Sequence, residues 1–324
     1  RPLLYDEAVI RGELRYTQIF FHEHAAAVMR RVPLAGILRE RRVASYEGGL
    51  VSGPAWSPDG LKIAYRMMET PERGGIYVMT AGGGNPLRIV SGGGIHNQID
   101  WSPDARSIVY AREVEGNTDI YIVDLSGETY RITSHEAEDA SPSWSRDGSE
   151  IVFTSNRSGT SEIWSVYLET GRLSQLTRSG EAHYPALSPD GGKVAFIRKE
   201  RGLFILDRES GRETAAASPR RVFFAPAWSP DGSAIAITAK DWGKTDIYLV
   251  TPDGARALLL TKGATMMGYP SWSPDGASLA AVSVTETGMD LIVLDGIEPF
   301  SERLGQDVPA RTFEPLPDPP AATE

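Results

Sequence analysis

His96, Asp139 and His183 are the side chains of this sequence best suited to hold a divalent metal or to shuttle a proton. They share a register: each lies four or five positions ahead of a recurring Trp-Ser-Pro-Asp-Gly motif or its slot. In that register the chain reads Val51-Ser52, His96-Asn97, Asp139-Ala140, Ala182-His183, Phe223-Phe224 and Met267-Gly268. If the motif turn closes one end of a strand, these pairs sit at the other end, on one face of the molecule. That face is lopsided. A polar arc of His96, Asn97, Asp139 and His183, with Glu138 and Glu181 one step farther out, opposes an apolar arc of Phe223, Phe224, Met266 and Met267. Polar groups converging beside an apolar wall make a binding funnel. Trp242, in the loop Lys240-Asp-Trp-Gly-Lys244, falls on the same face and is the residue type that anchors partners.

Catalysis finds less support. The metal-type residues come from different repeats, with no local spacing to enforce a coordination geometry, and read as solvated loop residues; so do His22 and His24. There is no cysteine, which excludes disulfides, thiolate metal sites and Cys nucleophiles. No Gly-x-Ser-x-Gly elbow occurs, and the Gly82–Gly84 and Gly92–Gly94 runs lie in turns between strands, not ahead of a helix. The reading is therefore no catalytic residues, no cofactor and no metal. A net charge of −10 argues against nucleic acid. No apolar run reaches the ~18 residues that span a membrane. The first 50 residues run the other way, with eight Arg against six acids, and their Arg30, Arg31, Arg39, Arg41 and Arg42 read as a solvated outer edge.

The motif itself organises the chain. It occurs at Trp56, Trp101, Trp144, Leu187, Trp228 and Trp272, spaced 45, 43, 43, 41 and 44 residues apart. Ser-Pro-Asp-Gly is a turn: Pro presets φ, Asp bonds its own backbone and Gly takes φ > 0. The repeated Asp is thus a turn former, not a calcium ligand. A β-rich strand precedes each motif, another follows, and a third reads Asp119-Ile-Tyr, Glu162-Ile-Trp or Asp246-Ile-Tyr before a fourth closes the unit. Four antiparallel strands per 40–45 residues is a β-propeller blade. The motif Trp is expected to pack between blades. Gln18–His22, Ala27–Pro33 and Glu40–Ser45 read as strands of an additional, motif-poor blade, completed by Ala8–Gly12 or by Val308–Glu314 from the C-terminus. The expectation is an all-β propeller of seven blades, with six the alternative. Residues 1–7 are an arm, 8–308 a single propeller domain, and 309–324 a Pro-rich tail able to supply the closing strand. The first residue is Arg1 and not Met, which fits removal of a leader or trimming.

Trp-Ser-Pro-Asp-Gly followed by Ile-Ala-Tyr or Ile-Val-Phe and then Asp-Ile-Tyr resembles the repeat of TolB-like β-propellers, over roughly residues 50–297. The Gly-His and Trp-Asp pair of WD40 repeats is absent. The resemblance implies a periplasmic or otherwise extracytoplasmic bacterial protein. It further implies a non-catalytic adaptor or accessory subunit that binds protein partners of an envelope complex at the channel mouth or through its termini. No αβ domain precedes the propeller in this sequence, which separates it from TolB itself. Similar repeats occur in prolyl-oligopeptidase-type peptidases and oligogalacturonate lyases. The alternative is therefore a metal-dependent carbohydrate-active or glycan-binding propeller using the polar arc.

Overall fold

A computed structural model describes residues 38–68, 74–199, 201–217, 222–241, 244–255, 257–261 and 267–297. Among these, every regular element is a strand, and no helix is long and apolar enough to cross a membrane. The strands form six four-stranded antiparallel sheets. Five follow chain order from the axis outward: blade 1 over residues 50–91, blade 2 over 95–131, blade 3 over 139–175, blade 4 over 182–217 and blade 5 over 222–259.

The sixth blade corrects the expected count of seven. Its three inner strands are Met267–Trp272, Ser278–Val284 and Gly288–Asp295, and its outer strand is Arg39–Glu47 from the start of the described chain. That strand pairs antiparallel with Gly288–Asp295, from Arg39 opposite Asp295 to Glu47 opposite Gly288. Residues 40–45, read as the fourth strand of an extra blade, are thus the fourth strand of the last one. The physical reason is edge closure: a three-stranded last blade would present an unpaired ladder, and a strand from the other end of the chain covers it. The motif marks the turn between innermost and second strands, so six motifs mean six blades, and an outer strand carries none. Residues 8–12, 18–22, 27–33 and 308–314, the remaining strands of the expected seventh blade, lie outside the described residues.

Each motif turn closes in the same way. The hydroxyls of Ser57, Ser102, Ser145, Ser188, Ser229 and Ser273 donate to Asp59, Asp104, Asp147, Asp190, Asp231 and Asp275 at 2.5–2.7 Å. The residue two beyond Asp59 donates its amide to the same carboxylate at 3.0 Å, and Gly60 takes φ 75°. The Ser57 hydroxyl, first among these donors, holds Asp59 below the usual carboxylate range.

Blade junctions follow a rule set by the residue ahead of the motif Trp. Where it is Ala, the next blade's indole N–H reaches its carbonyl: Trp101 to Ala55 at 2.9 Å, Trp228 to Ala186 at 3.0 Å and Trp272 to Ala227 at 3.1 Å. Where it is Asp100 or Ser271, its side chain accepts the backbone N–H of Trp144 (2.8 Å) or Trp56 (2.9 Å) instead. The core is accordingly six buried clusters, each drawn from two adjacent blades. A β-sheet blade cannot bury both faces alone, so the ring is the core.

Outer strands are tied by a second repeated device. Asp119, Glu162 and Asp246 stand near the start of the third strands of blades 2, 3 and 5 and accept the hydroxyls of Thr133, Thr177 and Thr261. Each Thr in turn accepts the amide of the following Ile, at 2.9–3.0 Å. This explains the Asp-Ile-Tyr signature: the acid anchors the outer strand, and Ile fills the core.

Candidate binding surface at the strand-entry face

The innermost strands place the expected residues at their entry ends. His96 and Asn97 lie on Ile95–Trp101, Asp139 on Asp139–Trp144, His183 on Ala182–Leu187, Phe223 and Phe224 on Val222–Trp228, and Met267 on Met267–Trp272. Every one of these strands carries a register shift between its entry end and the motif. At four of the six blades the residue three ahead of the motif Trp or its slot has positive φ: Gly53 (54°), Ser141 (54°), Tyr184 (55°) and Tyr269 (57°). A bulge with this backbone bends the strand and re-aims the side chains before it. The amides of Tyr184 and Tyr269 go to the Thr154 and Thr238 hydroxyls of the preceding blade, at 3.2 and 3.1 Å.

The polar arc divides once its partners are known. Asp139 is fully buried, and both its oxygens accept from one Arg157 nitrogen, at 2.8 and 2.7 Å. The Arg157 guanidinium also lies over the Phe153 and Trp164 rings, 5.5 and 5.1 Å from their centroids. That carboxylate is consumed inside blade 3. His96 is half-buried, with Nε2 3.5 Å from the Thr118 hydroxyl. Burial, reinforced by the Arg66 charge, pushes its pKa down to about 4, so the ring is neutral at pH 7. His183 is also half-buried; burial pushes its pKa down, and Glu181, whose Oε2 is 3.6 Å from Nε2, pulls back. Glu138 is shifted up by burial and by the charges of Glu113 and Asp139.

In the apolar arc, Met267 is 7% exposed and packs in the core between blades 5 and 6. Phe223 and Phe224 stand where the innermost strand of blade 5 shifts register on both sides of Phe224. Met266 and Trp242 lie outside the described residues. Among the described residues no group of three or more His, Asp or Glu is placed to hold a metal ion.

The axis holds a cavity of ≈ 500 Å³ in the opposite, motif-bearing half of the channel. Of the expected residues whose side chains are described, His96, Asp139, His183 and Met267, none lines it. Its wall is the motif Trp and Pro residues with Gln98, Asp100, Tyr184 and Tyr269. Gln98 reaches past blade 3 to donate to the Pro185 carbonyl of blade 4, at 3.3 Å. Asp100 accepts the amides of Trp101 and Trp144 and the Ser143 hydroxyl; burial still pushes its pKa up to about 6. The one sequence signal for Asp100 is that it fills a slot held elsewhere by Ala or Ser. Arg157 had no such signal.

The family model of the TolB beta propeller domain matches residues 21–128, 100–210 and 185–292. The Tol-Pal system protein TolB of Alcanivorax borkumensis is 36% identical over 66 residues, 20% of this chain and 15% of that protein. The crystal structure of TolB from Acinetobacter baumannii is similar with a TM-score of 0.61 and 27% identity, over 69% of this chain and 57% of that one. The chain thus spans little more than half of that TolB, and its match to the Alcanivorax protein is shorter still. An oligogalacturonate lyase in complex with manganese, 15% identical with a TM-score of 0.55 over 82% of this chain and 97% of its own, shares the fold alone.

Proposed function

The chain belongs to the TolB beta propeller domain family, and from that premise we propose that it is a non-catalytic, extracytoplasmic adaptor binding a protein partner of a bacterial envelope complex. The family match across blades 1 to 6 carries this reading. The proposed contact is the strand-entry face: His96, Asn97 and His183 supply polar register, and Phe223, Phe224 and Trp242 supply apolar anchors. Asp139 and Met267 serve the same face from beneath it, Asp139 by holding Arg157 and Met267 by packing the blade 5–6 core. The arm 1–7 and the tail 309–324, flanking a single domain over 8–308, are a second proposed contact. Recognition by a preformed rim costs little ordering entropy.

Co-purification from the source cell envelope, read by mass spectrometry, tests the proposal. A stoichiometric protein partner is expected with the full chain and is weakened by His96→Ala with His183→Ala. The same preparation, purified without chelator, is assayed for metal and for oligosaccharide cleavage. No partner together with a stoichiometric metal overturns the adaptor reading in favour of a carbohydrate-active propeller.

A further inference from the structure

Where the segment leaving blade 3 meets blade 4 lies a second cavity of ≈ 520 Å³, lined from residues 176–179 and from the second, third and outer strands of blade 4. Three arginines line it, Arg178, Arg198 and Arg201, with Ser179, Phe204 and Glu213. Arg198 is 1% exposed and structural: it donates to the Gly180 carbonyl and to the Glu213 carboxylate, and its guanidinium lies over Phe196 and Phe204, 5.2 and 5.5 Å from the ring centroids. It thereby stitches blade 4 to the segment that enters it, and it fixes Phe204. The Arg201 guanidinium rests on the same ring, 5.4 Å from its centroid.

Arg201 and Arg178 are exposed and, among the described residues, neither has a carboxylate partner. The blade 3 acid Glu162 is committed, since it accepts the Thr177 hydroxyl and the Gly180 amide. The repeat explains why blade 4 offers no acid in the position that carries one in blades 2, 3 and 5. Ahead of the buried Ile of the third strand stand Asp119, Glu162 and Asp246 in blades 2, 3 and 5, but ahead of the equivalent Leu203 in blade 4 stands Gly202. Among the described residues, the cleft therefore holds three guanidiniums against one carboxylate, in a protein of net charge −10.

We propose that this cleft is an oxyanion site for a phosphate monoester dianion. Two guanidiniums without acid partners match two negative charges, and the planar guanidinium donates to phosphate through paired N–H groups. Ser179 adds a hydroxyl, and the stack on Phe204 pre-orients Arg201. A monoester can reach the cleft as a soluble phosphate or as a lipid headgroup. Titration calorimetry with inorganic phosphate at constant ionic strength tests the shared chemistry. It is run on the full chain, on Arg178→Gln with Arg201→Gln, and on Arg88→Gln as a distant control. Saturable binding at one site, unchanged in the control and weakened about tenfold or more in the double variant, is expected. No saturable binding, or equal binding by all three proteins, overturns the proposal. Flotation with phosphatidic acid vesicles against phosphatidylcholine vesicles then separates the sources: retention lost in the double variant marks a lipid headgroup, and no retention beside intact phosphate binding marks a soluble ligand. Both substituted arginines are exposed, so the variants are expected to keep the parental circular dichroism spectrum.

Discussion

Asp100 and His96 sit on the same strand of blade 2 and pull stability in opposite directions with pH. Asp100 has its folded pKa raised to about 6, so its contribution is fully present below the ordinary carboxylate range and is lost as pH rises to about 6. His96 has its pKa lowered to about 4, so its contribution is present above the ordinary imidazole range and is lost as pH falls toward 4. The two slopes oppose each other over nearly one window. Replacing one residue should therefore expose the other. Asp100→Asn is expected to steepen the loss of melting temperature between pH 6.5 and pH 4, and His96→Asn to reverse it. Each slope is worth on the order of 2–3 kcal/mol. Parallel slopes in wild type and Asp100→Asn would show that the carboxyl titrates normally. Asp139→Ala belongs to the same scale: it leaves Arg157 charged and buried without its partner, at about 3–5 kcal/mol in denaturant unfolding.

At the scale of the element, the motif turn explains both its regularity and its exception. Gly60, Gly148, Gly191, Gly232 and Gly276 hold φ between 71° and 77°, a backbone that a Cβ disfavours. Blade 2 places Ala105 in that position at φ 57°. Ala105→Gly is expected to stabilise the protein by about 1 kcal/mol in chemical denaturation, because the relief of left-handed strain outweighs the added freedom of the unfolded chain. Most of this element is readable in the sequence, since its hydrogen bonds close within five residues. The Asp-Ile-Tyr signature is only half readable. Its Ile announces a buried strand, but its acid meets a Thr 14 or 15 residues away, and that partner is visible only in the folded sheet.

For the molecule as a whole, ring closure is the step on which the core depends, because every buried cluster spans two blades. Removing residues 1–47 strips the outer strand from the last blade and leaves Gly288–Asp295 as an open edge. Removing only residues 1–37 leaves that strand in place. The shorter truncation is expected to stay monodisperse and cooperative, and the longer one to associate and melt broadly, as read by size exclusion and scanning calorimetry. Equal behaviour of the two would mean that closure by residues 39–47 contributes little.

By itself the sequence determined the blade, its turn chemistry, the Trp that meets the neighbouring blade, and the number of motif-bearing units, because each is written within a strand or two of contiguous chain. It also announced the face on which six innermost strands begin. Tertiary structure alone decided which distant segment closes the ring, because strand pairing across more than 200 residues leaves no local pattern. It alone separated Asp139 and Met267, drawn into the interior, from half-buried His96 and His183 at the same sequence register. Side chains equally placed along a repeat differ in what the next strand or the adjoining blade brings against them, and that difference is set in three dimensions.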